Sequence, residues 1–184
     1  MEFVDFFEST KVLATILHVI SVIFGMGSAL ISDILFTFFS RDRKLNKTEI
    51  STLSILSKVV LISLFLIILS GLAIFLSDID KYLSSAKFLA KMTIMIVLLV
   101  NGYILNNYIW DNLLKKDFLI SNKRRNVRRL AFIAGAVSVI SWLFVCILGI
   151  VSSSNLLYSQ IIFLYISLVI ISSVTSIFIE NKNY

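Results

Sequence analysis

Proline is absent from this 184-residue chain, cysteine and histidine occur once each, and charged residues make up only 15% of it. Without proline, no helix is broken by a missing amide donor and no Pro-rich linker separates domains. The single cysteine, Cys146, allows no intrachain disulfide. It lies in an apolar run away from basic neighbours, the setting of an inert packing thiol. The single histidine, His18, cannot by itself complete a zinc site or supply both axial ligands of a haem. No Walker loop, dinucleotide-binding glycine pattern, HExxH or GxSxG occurs, so the sequence identifies no catalytic residues and no metal-ligand set. The polar, charge-rich composition of a disordered chain is missing as well.

What the chain has in excess is apolar residues, 58% of the total. A soluble domain is nearer about 45–50% apolar and 25% charged. A bilayer core takes about 20 predominantly apolar residues in helix. Five stretches meet this, at about 12–39, 55–77, 86–110, 130–151 and 159–179. The expected fold is therefore all-α: a polytopic transmembrane helical bundle forming a single membrane domain over residues 1–184. The first run is read as a span rather than a cleaved signal, because Glu2, Asp5 and Glu8 precede it and it is too long.

The net charge of +6 sits in short connections. Arg41, Arg43, Lys44 and Lys47 occupy the first; Lys115, Lys116, Lys123, Arg124, Arg125, Arg128 and Arg129 occupy the third. The second carries Asp78, Asp80 and Lys81, and the fourth no charge. Basic short loops stay in the cytoplasm, so an N-out, C-in orientation is expected, in the cytoplasmic membrane. The basic loops then face anionic lipid headgroups rather than nucleic acid. Tyr108 and Trp110 fall where an inner interface belt would lie, and Tyr82 and Tyr158 near an outer one.

Ionisable groups within apolar runs cost free energy and invite explanation. Asp33 and Lys58 flank the first connection at similar depth, so an intramembrane pair is expected. It would either fix the hairpin or relay a proton or ion. His18 and Lys91 form a second set of similar depth, and are the candidate cofactor-binding residues. His18 belongs to a row of small or polar residues, Ala14, His18, Ser21, Gly25, Ser28 and Ser32, whose alternating spacing of four and three puts them on one helical face. Such a face is expected to pack inward, since small residues let helices approach in lipid. Ala131, Gly135 and Ser138, and the cluster Ser172, Ser173 and Ser176, read as further packing positions. Met26, Met92 and Met95 read as core filler, with soft-metal or haem ligation as the alternative. Trp142 has no evident partner, and homo-oligomerisation is left open.

The segments ILHVISVIFGMGSALISDILF, LIILSGLAIFL and AKFLAKMTIMIVLLVNG resemble a superfamily of small bacterial membrane proteins. It includes the HemJ-type protoporphyrinogen oxidases and the CopD-type copper-resistance proteins. Leu-His near the start of the first helix, Ser-Gly late in the second and a lysine early in the third carry the likeness. His18, Ser70, Gly71 and Lys91 fill those positions, within roughly the first 110 residues. The resemblance implies a helical bundle and a haem or porphyrin pocket at His18 with Lys91 nearby. HemJ-like members tend to carry a further histidine late in the third helix, where this chain has Gly102, Asn106 and Asn107. Three function classes follow. The first is a non-catalytic structural or accessory component, the second a haem-binding or redox protein using His18, and the third a small transporter or channel using the buried charges.

Overall fold

The computed structural model describes residues 2–40, 45–113, 125–151 and 156–183, with side chains from residue 10 to residue 181 of these. The chain runs α1 (Glu2–Phe39), α2 (Lys47–Leu76), a short α3 (Ile79–Leu83), α4 (Ala86–Ile104), a π-helical turn (Leu105–Ile109), α5 (Trp110–Leu113), α6 (Arg125–Ile150) and α7 (Tyr158–Asn183). Five segments among the described residues are long and apolar enough to cross a membrane: Thr10–Phe39, Lys47–Leu76, Ala86–Leu113, Arg125–Ile150 and Tyr158–Asn181. The protein is thus a polytopic membrane protein by helix length and hydropathy. Its exposed surface carries the belt that such a protein presents to lipid, including Val12, Ile23, Phe24, Phe65, Phe163 and Phe178.

Helix ends follow local chemistry more than hydropathy. Asn46 caps α2 by accepting from the Glu49 amide at 2.9 Å, while Glu49 Oε2 accepts from the Asn46 amide at 2.7 Å. This reciprocal box satisfies two orphan donors, and so α2 begins at Lys47 rather than near residue 55. Asp78 caps α3 through the Lys81 amide, and Ser85 caps α4 through the Phe88 amide. The acids of the second connection therefore include a helix cap.

Packing is antiparallel in the pairs α1–α2, α1–α6, α4–α6 and α6–α7. Along α1 and α2, His18 meets Ser70 and the Gly25 backbone meets Ser63. Along α1 and α6, Gly25 meets Trp142 and Asp33 meets Gly135. Asn101 of α4 donates to the Ala134 carbonyl of α6 at 2.9 Å. Ser141 of α6 meets the Tyr165 hydroxyl of α7 at 2.8 Å, and Ser176 donates to the Phe132 carbonyl at 2.6 Å. Helix α6 is thereby the axis of the bundle, touching α1, α4 and α7.

The π turn has a readable cause in register. Ala90, Ile94, Leu98 and Asn101 make the buried face of α4. In a continuous α-helix that face would run on through residues 105, 108 and 112. Instead Ile109 and Leu113 are buried and Tyr108 is exposed. The extra residue of the π turn shifts the face by one, which lets Ile109 and Leu113 pack on Ala131 and Ala134.

Candidate functional site

The row on α1 faces inward. Ser21 is 2% exposed, Gly25 is buried, and Ala14, His18, Ser28 and Ser32 are partly buried, whereas Val19, Ile20, Ile23 and Phe24 between them are exposed. Ala29 extends the seam. Close approach explains Gly25. A Cβ placed there would stand 2.7 Å from Trp142 Cη2 and 3.0 Å from Ser63 Cβ. Trp142, which no sequence pattern could assign, is the residue that closes the seam, at 2% exposure. Met26 and Met95 pack around the same cluster of Leu64, Ile67 and Trp142, as filler does. The Trp142 plug divides the seam into two polar ends.

The first end holds His18. Its Nδ1 lies 3.1 Å from Ser70 Oγ. Ser70 spends its single hydroxyl proton on the Leu66 carbonyl at 2.6 Å, so toward the ring it can only accept. In that arrangement the imidazole donates through Nδ1–H, and in its neutral form it presents a lone pair at Nε2. Gly71 lies against the ring, its hypothetical Cβ 3.4 Å from His18 Cε1. The Ser-Gly pair thus forms the floor beneath the histidine: one residue accepts its hydrogen bond and the other leaves it room. Lys91 lies within electrostatic reach of His18, and Lys87 within reach of Lys91. Lys87 Nζ also donates to the Val151 carbonyl, just past the end of α6. Aromatic rings collar this end. Phe75 and Phe88 stack at 5.4 Å, Tyr82 tilts on Phe88 at 5.2 Å, and the Tyr158 hydroxyl meets Thr93 at 2.9 Å.

The second end holds Asp33, and here the expected pair does not form. Lys58 is exposed, and no ion pair among the described residues joins it to Asp33. Equal depth in a hairpin fixes height but not azimuth. Asp33 turns toward α6, where a Cβ on Gly135 would stand 2.8 Å from its Oδ1. Lys58 lies at the exposed surface, where its long stem can reach an interface. The Asp33 carboxylate borders two cavities. One, of about 130 Å³, lies among α1, α2, the π turn, α5 and α6 and includes Ser32, Ser57, Trp110 and Ser138 in its walls. The other, of about 270 Å³, lies toward α7 and includes Gly135, Ser172 and Ser176.

Two groups escaped the sequence reading. Glu180 is 1% exposed and receives Arg128 Nε at 2.8 Å and Arg129 Nε at 3.3 Å. Asn181 accepts from Arg125 and Arg129. These arginines, read above only as a topology and headgroup signal, tie the last turn of α7 to the first turns of α6. The signal available was an acid closing the last apolar run. The basic residues Arg41, Arg43, Lys44, Lys115, Lys116, Lys123 and Arg124 lie outside the described residues. Asn101, whose amide holds the Ala134 carbonyl, is the second group; nothing in its local sequence distinguishes it from Asn106 and Asn107, which are exposed.

No protein-family model, curated protein or solved structure matches the chain.

Proposed function

We propose that this membrane protein is an accessory component that works by binding rather than by catalysis, and that its His18 end takes an anionic ligand. One observation carries this reading. His18, Lys91 and Lys87 form a chain of basic groups, each within electrostatic reach of the next, and no acidic side chain is paired with them among the described residues. Lys87 stands in the first turn of α4, where the helix dipole is already positive. A cation there is not rewarded by the helix itself. An anion seated over the three would offset both costs.

The likeness to the HemJ and CopD group names a ligand class. A haem or porphyrin carries carboxylates for the lysines and, in haem, an iron for the Nε2 lone pair of His18. With one histidine in the chain, a second axial ligand would have to be something other than histidine or come from another chain. In the N-out orientation that the basic loops favour, this end lies at the outer leaflet.

The test is a titration of detergent-purified protein with haem, followed at the Soret band, beside native mass spectrometry for retained anionic lipid. A haem complex lost in His18→Ala and weakened in Lys91→Met supports the porphyrin reading. Retained anionic lipid lost in Lys91→Met, with no Soret response, supports an anion-binding accessory role. Neither ligand held, or ligands held equally by both variants, overturns the proposal.

A further inference from the structure

The other end of the seam carries an inference that does not depend on His18. Asp33 is a carboxylate within the apolar segment Thr10–Phe39, and no hydrogen bond or ion pair among the described residues reaches its side-chain oxygens. Charged groups at such depth face a partner or a cavity, because hydrocarbon does not solvate them. Here there is a cavity, of about 130 Å³. Ser32, Ser57 and Ser138 line it, and their hydroxyls make no hydrogen bond among the described residues. That contrasts with Ser21, Ser70, Ser141 and Ser176, each of which donates to a backbone carbonyl. The remaining walls are largely apolar or aromatic, with Phe36 and Trp110 among them.

We propose that the cavity beside Asp33 is a binding site for a small organic ammonium ion. The carboxylate supplies one negative charge, which fits a monocation. The serine hydroxyls supply acceptors for the remaining N–H bonds. Trp110 and Phe36 supply faces that attract a cation or pack an alkyl group. A bare divalent metal is a poorer fit, since hard divalent cations gather six or more oxygen ligands and favour several carboxylates. The size agrees: an apolar cavity of about 150 Å³ takes a benzene-sized guest, so this one suits a ligand of about five heavy atoms. The lining includes Leu53, Trp110 and Leu113, so the site lies toward the end of the bundle that carries the first connection.

Gly135 sets the position of the carboxylate. It lets Asp33 Oδ1 lie where a methyl group would otherwise stand. Gly135→Ala should push the flexible carboxylate aside at small cost to the fold, giving a variant that weakens binding without removing the charge.

The experiment titrates the full chain in detergent with n-butylammonium and reads tryptophan fluorescence. Trp110→Phe serves to show which tryptophan responds, since Trp142 is packed against Gly25 and away from the cavity. The expected result is a saturable response carried by Trp110. It should weaken by about tenfold or more in Asp33→Asn, as loss of a charge-assisted bond implies, and to a lesser degree in Gly135→Ala. Uncharged n-butanol should compete poorly. Circular dichroism checks that the variants keep their helix content; if Asp33→Asn does not fold, Gly135→Ala and Ser57→Val carry the comparison. A response of equal affinity in the variants, equal binding of n-butanol, saturation by sodium ion instead of the amine, or no saturable response each overturns the proposal. A Soret titration at His18 is blind to all of these outcomes, so this site and the His18 end stand or fall separately.

Discussion

Arg128 Nε lies 2.8 Å from Glu180 Oε1, and the two side chains are 5% and 1% exposed. The contact joins the start of α6 to the end of α7, through two residues 52 positions apart in sequence. Removing one member of such a pair is destabilising because the other charge stays buried in a medium that solvates it poorly. Glu180→Gln should therefore lower stability by about 3–5 kcal/mol. Arg129, whose side chain is 34% exposed, should recover little of this, since a partly solvated pair is worth less. The double change Arg128→Met with Glu180→Met should cost less than Glu180→Gln alone. Thermal unfolding in detergent compares them; equal losses for single and double variants would refute a desolvated pair.

Gly25 gives a second prediction. Gly25→Ala brings a methyl group to 2.7 Å from Trp142 and 3.0 Å from Ser63, closer than packed atoms allow. Overpacking of this kind costs about 1–3 kcal/mol. Trp142→Phe in the same background should recover part of the loss, because it removes the atoms that clash. An unfolding midpoint unchanged by Gly25→Ala would show that the seam is open.

Asp33 and Lys58 should behave as strangers. A double-mutant cycle with Asp33→Asn and Lys58→Met should return a coupling within about 0.5 kcal/mol of zero, as for independent sites. A coupling several times larger would restore the hairpin ion pair expected from depth alone.

The tautomer of His18 is directly observable. Nitrogen-15 NMR of the labelled single imidazole should show the proton on Nδ1, because Ser70 is already a donor to Leu66. In Ser70→Ala the ring loses that acceptor, so the proton should redistribute toward Nε2. A spectrum with the proton on Nε2 in the unaltered protein contradicts the arrangement.

Orientation is tested by reporter fusions. Fusions at residues 45 and 122 should report the cytoplasm, and one at residue 154 the exterior, if the basic connections hold their side of the membrane. A cytoplasmic signal at 154 reverses the orientation.

The sequence by itself determined what depends on composition and on periodicity along one helix. Five apolar runs of sufficient length dictate five helices long and apolar enough to span, because a backbone in hydrocarbon must bond to itself. The spacing of Ser21 and Gly25 dictates a common face on α1, because 3.6 residues per turn is fixed geometry. That the face turns inward was also legible, since hydroxyls toward lipid would lack partners. Depth was legible too: His18 and Lys91 lie near one end, Asp33 and Lys58 near the other.

Only the tertiary structure decided azimuth and partner. Asp33 and Lys58 share a height, yet the rotation of α1 sends the carboxylate to Gly135 of α6. Ser70 beneath His18, Trp142 against Gly25 and Glu180 beneath Arg128 are likewise contacts between helices. So is the one-residue shift of the π turn, which brings Ile109 and Leu113 onto α6. The physical reason is common to all of them. In lipid the hydrophobic effect does not choose which helix faces meet, so the choice falls to close packing and to hydrogen bonds between particular side chains. Those depend on how the five helices rotate against one another, and that rotation is a property of the bundle as a whole.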